Sequence, residues 1–354
     1  MNQRVFVTGL GAVSPVGLNL CSTWESLIHG KSGINQISSF DTENLLTTIA
    51  AEINDFEPEN YMDRKEARRA DRFSHLALAA AQEAIAQAGL EQEEPLGNRT
   101  SSLIASGVGG IITLSEQFDV LHEKGPKRIS PFLIPAMLID MAGANVSMRF
   151  GARGPSFATV SACASGADAI GSGYELIKRD EIDIALCGGT EAPVCPIALA
   201  GFNSVGALSK NNENPEGASR PFDAQRDGFI IGEGASVLVI EKLSHALARG
   251  ATPLVELVGY GASSDASHIT QPAPFGEGGA RAMRQAIQSA NLKPADVDYI
   301  NAHGTGTEQN DLVEMRGIRH ALGSAADQVA VSASKSMIGH LVNAAGGVEL
   351  AITV

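Results

Sequence analysis

Cysteine is scarce: the 354 residues hold four (Cys21, Cys163, Cys187, Cys195), and none is spaced as C-x-x-C. A disulfide framework or zinc finger is therefore not expected, and lone thiols of this kind suit the reducing cytoplasm. No stretch approaches the roughly 18 uninterrupted apolar residues of a membrane span. The opening Met1-Asn2-Gln3-Arg4 runs straight into Val5-Phe6-Val7 with no apolar leader, so a cytoplasmic address without membrane contact is expected. Positive charge is also short, 26 Lys and Arg against 40 Asp and Glu. The net charge of -14 opposes nonspecific binding to nucleic acid, and an acidic partner would need a local basic patch. What is present, 44% hydrophobic residues and 38 glycines, is the composition of a folded globular protein, long enough for two domains or two fused halves.

Two distant segments read alike. Val7-Thr8-Gly9-Leu10-Gly11-Ala12-Val13-Ser14 and Leu257-Val258-Gly259-Tyr260-Gly261-Ala262-Ser263-Ser264 share G-x-G-A-x-S after an apolar run. Val160 to Gly166 and Ile300 to Gly306 form a second pair, each a short strand-like run breaking into a turn of small residues. If the halves are duplicates, the first carries an insertion of about 110 residues before Cys163. The boundary falls near Gly250-Ala251, giving halves 1–250 and 251–354. Helical spacing is clearest over Ser74 to Ala88 and Gly279 to Ala290, and strands are expected at Ile182 to Leu186 and Ala235 to Ile240. The alternation predicts an α/β fold with buried sheets. Asn211 to Gly228 reads as a long loop by its breakers.

Ser156 to Ala162 is expected as a strand entering Cys163, after which Ala164-Ser165-Gly166 opens a helix. A cysteine at such an elbow faces the positive end of a helix, which favours thiolate. The other three cysteines lack that setting and read as packing residues. His303 follows the expected strand Val297 to Ile300, Lys335 ends another over Val329 to Lys335, and His340 is expected near the start of the next helix. A histidine near a helix N-terminus has its neutral form favoured, and a neutral imidazole can donate a hydrogen bond without carrying charge. Two such donors suit an oxygen that becomes negative. His245, His268 and His320 read as surface or satisfied polar residues.

Thr159 to Gly166, Asn301 to Thr307 and Lys335-Ser336-Met337-Ile338-Gly339-His340 closely resemble the motifs of condensing enzymes, the beta-ketoacyl-acyl-carrier-protein synthase II family. The likeness runs from Val5 to the end of the chain. It implies the thiolase-like fold, two pseudo-duplicated βαβαβαββ halves in a five-layer α-β-α-β-α sandwich, usually a homodimer. The implied reaction loads an acyl chain from carrier-protein phosphopantetheine onto Cys163 and condenses it with malonyl-carrier protein, losing carbon dioxide, with no cofactor held by the protein itself. His303 and His340 would stabilise the enolate, and Lys335, paired with Glu349, would act by charge. No catalytic metal is implied; a structural cation near Asn301 and Glu349 is a weaker family feature, and hydrogen bonding is the simpler role for both.

The same resemblance places carrier docking at Arg64, Lys65, Arg68 and Arg69, within Asp63 to Arg72, and at Lys127 and Arg128. A mixed-charge solvated helix face is the competing account. Thr270, Thr305 and Thr307 match hydroxyls lining the pantetheine channel, and Val108 and Phe202 match acyl-pocket positions. Three departures stand out. The chain stops at Val354, before the family's final strands and glycine-rich loop, so the sequence predicts an incomplete second half with impaired activity. A basic docking residue near Val205-Gly206 is missing, and Glu308-Gln309-Asn310 replaces a proline-containing turn, as a specialised polyketide pathway would suit.

Other classes compete. A chain-length-factor-like partner would be chemically silent, and Cys163, His303 and Lys335 argue against it; the synthase could equally pair with such a partner as a heterodimer. A thiolase would use one histidine with a second cysteine. Thr8-Gly9-Leu10-Gly11 and Tyr174 with Lys178 hint at an NADPH-dependent short-chain dehydrogenase, but the third glycine is absent and a helix surface explains Tyr174.

Overall fold

The computed structural model describes residues 3–91 and 95–354. At its centre is a five-stranded sheet in the order Thr100–Ala105, Ile184–Glu191, Gly234–Lys242, Val5–Val13, Val255–Leu257. The first two strands are parallel and every other neighbouring pair is antiparallel. Ile184–Glu191 is buried at all eight positions, which demands cover on both faces.

Alternating side chains supply two separate cores. Leu186, Val237 and Val239 pack with the helices Arg72–Gln87 and Met141–Phe150. Ala185, Cys187, Leu238 and Ile240 pack instead with the helices Ser165–Lys178 and Ala345–Thr353. Beyond this second pair lies a parallel strand pair, Tyr299–Asn301 with Ala330–Ser332. It is covered in turn by the helices Glu277–Ser289 and Glu308–Leu322, through Ala280, Ile318, Ile300 and Val331. Helix, sheet, helix, strands, helix make the five layers expected.

The repeated G-x-G has a packing explanation. A Cβ on Gly9 or Gly11 would lie 2.1 or 2.0 Å from the carbonyl oxygens of Ala84 and Ala80. On Gly259 or Gly261 it would lie 2.3 or 2.2 Å from those of Ala286 and Ala282. Each motif thus lays its backbone, within the strand Val5–Val13 in the first copy and just beyond Val255–Leu257 in the second, directly on a helix backbone, an approach only glycine permits. In the second copy just Val255–Leu257 is paired, and it joins the edge of the first half's sheet through Val5–Val7.

The observed helix Arg72–Gln87 starts two residues earlier than read, because Asp71 caps it by accepting from the Phe73 N–H. Glu277–Ser289 likewise begins two residues before Gly279. The run Ser156 to Ala162 is not the strand expected. It meets the sheet at one bridge, Ser102 to Ser156, and then leaves the edge. Tyr174 is core, not helix surface: it is 3% exposed and its hydroxyl donates to the Val258 carbonyl at 3.1 Å.

Candidate active site

Cys163 sits in a turn that breaks into the helix Ser165–Lys178. The turn closes through Ser165, whose N–H and Oγ both donate to the Ala162 carbonyl, at 3.0 and 2.6 Å. To do so Ala162 adopts φ 51°, a left-handed conformation that costs an L-residue energy.

From the second half, His340 brings Nε2 to 3.1 Å from the Cys163 sulfur. Its other nitrogen, Nδ1, accepts the Val342 N–H at 3.0 Å. Because Nδ1 is an acceptor there, the ring proton sits on Nε2 and points at the sulfur. His303 lies edge-on to His340 with ring centroids 5.2 Å apart. The turn carrying His303 is held by Glu314, whose two oxygens accept the N–H groups of His303 and Gly304 at 2.6 and 2.8 Å. His340 is not at a helix start, as was expected. It follows the short helix Lys335–Ile338 and bridges to Ile231, ahead of the helix Ala345–Thr353.

Lys335 is 1% exposed and forms an ion pair with Glu349, as the sequence suggested. Its charge shapes the site. Removal from water, with the Lys335 ammonium close by, pushes His303 down to about 3 and His340 well below the usual imidazole value. Both rings are therefore neutral donors, through burial and a neighbouring cation rather than through a helix dipole. The expected thiolate-favouring shift at Cys163 is corrected: burial raises its thiol above the ordinary value, and Lys335 only partly opposes this.

Cys163, His303 and His340 present one sulfur and two nitrogens within 4.8 Å of one another, a donor set a soft metal could use. The adjacent ammonium adds repulsion against any such cation. Asn301 Nδ2 donates to the Glu349 carbonyl and to Thr353 Oγ1, both at 3.2 Å, while its Oδ1 is buried without a partner. Hydrogen bonding is the role its amide nitrogen fills.

The other candidates scatter. Thr305 is buried and its hydroxyl lies 3.0 Å from that of Thr307. Thr307 caps the helix Glu308–Leu322 by accepting the Asn310 N–H, a structural duty its expected channel role did not include. Thr270 is exposed in a loop, bonded to His268. Phe202 packs edge-on to Phe229, which packs edge-on to His340, so it stands two rings from the imidazole. Val108 is exposed in the turn before the helix Ile111–Lys124, where its N–H, the Gly107 N–H and the Ser106 hydroxyl all donate to the buried Glu191.

Arg64, Lys65, Arg68 and Arg69 surround a shallow depression of about 310 Å³ with Phe132, whose ring lies 4.6 Å beneath the Arg69 guanidinium. Lys127 and Arg128 are exposed on the turn Pro126–Arg128. Arg72 does not belong to this patch: it turns inward to pair with Glu233 at 2.7 Å. The sequence reading missed Glu314, Asp311, Glu191 and Asn343. Asp311 accepts from the N–H groups of Phe222 and Gly306, tying the loop of residues 211–228 to the His303 turn. An acidic residue one helical turn beyond Thr307 was the available signal.

Residues 2–246 match the family described as Beta-ketoacyl synthase, N-terminal domain, and residues 254–354 its C-terminal domain. The chain is 47% identical to 3-oxoacyl-acyl-carrier-protein synthase 2 of Staphylococcus aureus over 98% of its own length and 84% of that protein's. Among solved structures it resembles the ishigamide ketosynthase/chain length factor, with TM-score 0.91 and 34% identity, covering 99% of this chain and 85% of that one. It also resembles a chain of AntDE:AntF, described as a type II PKS acyl-carrier protein in complex with its ketosynthase bound to the hexaketide, with TM-score 0.90 and 31% identity over 100% of this chain and 86% of that one.

Proposed function

The chain belongs to the beta-ketoacyl synthase family and is an acyltransferase of the condensing type, a 3-oxoacyl-acyl-carrier-protein synthase, and on that premise we propose how its residues divide the reaction. Cys163 is the nucleophile. Its thiol gives up the proton as the sulfur attacks the acyl thioester carbonyl; the new C–S bond forms, the carbonyl's bond to the pantetheine sulfur breaks, and that proton leaves with the carrier as its free thiol. A malonyl thioester then takes the vacated place. Its C–C bond to the carboxylate breaks, carbon dioxide departs, and the electron pair passes to the thioester oxygen as an enolate. The enolate carbon attacks the acyl group on Cys163, the C–S bond breaks, and a chain two carbons longer remains on the carrier.

His303 and His340 donate to the enolate oxygen, and the loss of either donor costs about 2.7 to 4 kcal/mol of barrier. Burial, with Lys335 adding to it, keeps both imidazoles uncharged so that neither traps the enolate by giving up a proton at the wrong step. One observation carries this reading above the rest: an imidazole N–H aimed at the Cys163 sulfur from 3.1 Å, on a ring that is neutral at physiological pH.

The partners follow by charge and exposure. The cationic depression around Arg69, in a chain of net charge -14, suits an acidic carrier protein that brings the phosphopantetheine with it. Phe157 and Val160 are 42% and 55% exposed on the extended segment beside the sheet edge. A second copy of this chain covers that face in the homodimer we propose, with a chain-length-factor-like chain the alternative occupant. The four free cysteines fit a cytoplasmic site of action, and no helix among the described residues is long and apolar enough to cross a membrane. Intact-mass analysis after incubation with acyl-carrier-protein thioesters tests the assignment. The parent should gain one acyl group and Cys163→Ala none; an adduct surviving in the alanine variant would place the nucleophile elsewhere.

A further inference from the structure

We propose that Asn343 is a positioning residue for the nucleophile: its side-chain amide holds the Ala162–Ser165 turn in the strained conformation that keeps the Cys163 sulfur against His340. The inference rests on the assignment of Cys163 as nucleophile.

Asn343 is 2% exposed and lies three residues beyond His340. Its Nδ2 donates to the Ala162 carbonyl at 3.0 Å and to Ser165 Oγ at 2.7 Å. Those two atoms define the elbow. Ser165 Oγ also accepts the Ser161 N–H at 2.8 Å and donates to the Ala162 carbonyl at 2.6 Å, so Asn343 completes a ring of bonds around the residue before Cys163. That residue, Ala162, is the one at φ 51°. A left-handed alanine persists only where its surroundings over-determine it, and the amide supplies two of the bonds that do so.

The amide has no room to turn away. A Cβ built on Gly107 would fall 2.3 Å from both Asn343 Oδ1 and Nδ2, so the side chain fills the space against that glycine backbone. Nor is its chemistry replaceable at this size. Both protons of one nitrogen are directed to acceptors, whereas aspartate offers no donor and leucine offers neither donor nor acceptor. The segment Gly339 to Asn343 consequently orients both reacting groups: Val342 fixes the His340 tautomer, and Asn343 fixes the turn that carries the sulfur.

The test uses the full chain and follows the pH dependence of Cys163 alkylation by iodoacetamide, together with acyl transfer from an acyl-carrier-protein thioester. Asn343→Leu keeps the branched outline, with bulkier methyl ends, and removes the donor; Asn343→Asp keeps the shape and reverses the polarity. Each should slow both reactions about 10-fold or more and move the alkylation midpoint to higher pH, because the thiolate loses its His340 partner. The double variant Ser165→Ala with Asn343→Leu should be no slower than the worse single variant, since both act on one turn. An Asn343→Leu protein alkylated and acylated within twofold of the parent, or a double variant whose losses simply add, would overturn the proposal. Should Asn343→Leu fail to fold by near-ultraviolet circular dichroism, Ser165→Ala decides alone: slowed alkylation supports the ring of bonds and parental alkylation overturns it. Acyl transfer that persists at an unchanged rate in Cys163→Ala would instead sink the nucleophile assignment, which keeps the two failures distinct.

Discussion

Val342 donates its backbone N–H to Nδ1 of His340 at 3.0 Å, and to reach it this β-branched residue accepts φ 48°. Such a conformation costs on the order of 1 to 3 kcal/mol. The return is a fixed tautomer, with the remaining ring proton on the nitrogen facing Cys163. His340→Ala is expected to lower carbon dioxide release from malonyl-carrier protein by about 10²- to 10³-fold, the usual consequence of losing one preorganised donor. Undiminished release would remove His340 from the enolate step.

His303 should make stability fall on acidification. In the unfolded chain its pKa is near 6.5, while burial and Lys335 hold it at about 3 in the folded one. Between those values the unfolded state binds a proton that the folded state refuses, so the contribution is complete above about 6.5 and is lost progressively toward 3. Glu191, pushed up to about 7 by burial, pulls the other way, and a variant compared with the parent cancels it. Urea unfolding at pH 7.5 and 5.5 should show His303→Gln losing about 1 kcal/mol less than the parent on acidification. Equal losses would mean that His303 takes up its proton in the folded protein.

Breaking the Lys335–Glu349 pair from either side should not be symmetric. Lys335 is 1% exposed, so Glu349→Gln takes away the one carboxylate bonded to its ammonium and leaves only the more distant Glu314 as counter-charge, at a cost of about 3 to 5 kcal/mol. In Lys335→Met the carboxyl left behind already leans toward its neutral form through burial, and it can protonate. Denaturant midpoints should therefore drop further for the glutamine variant than for the methionine variant. The reverse order would contradict the burial argument.

Carrier docking should respond to charge at the Arg69 depression. Arg69→Glu removes the cation stacked on Phe132 and adds repulsion toward an acidic partner. KM for acyl-carrier protein should rise severalfold with kcat nearly unchanged, and the effect should shrink as salt increases. A change confined to kcat would place this arginine outside the docking surface.

The chemical centre was legible in the chain because its groups stand at turns that small residues punctuate: Cys163 before Ser165-Gly166, His303 before Gly304-Thr305-Gly306, His340 after Gly339. The Lys335–Glu349 pairing was legible too, since a lysine destined for burial needs an acid on the next helix. The supporting shell was hidden. Glu314 reaches back eleven positions to hold the His303 turn, and Glu191 gathers a loop some eighty residues earlier, spacings that no helical or strand period marks. Asn343 was passed over for a similar reason, because its partners at Ala162 and Ser165 lie in the other half. The origin of the imidazole shifts was misread because a helix end shows in sequence, whereas a neighbouring buried ammonium shows only in three dimensions.

The G-x-G at Gly259 and Gly261 governs chemistry it never touches. Those glycines let the segment after Val255–Leu257 rest on the helix Glu277–Ser289, which packs on Glu308–Leu322, and from that second helix Glu314 grips the loop bearing His303. One methyl group added at Gly261 would have to be accommodated as a lift passed along this stack. Mutations that tune or ruin the enzyme can therefore arise at the periphery, where a catalogue of active-centre neighbours would never look.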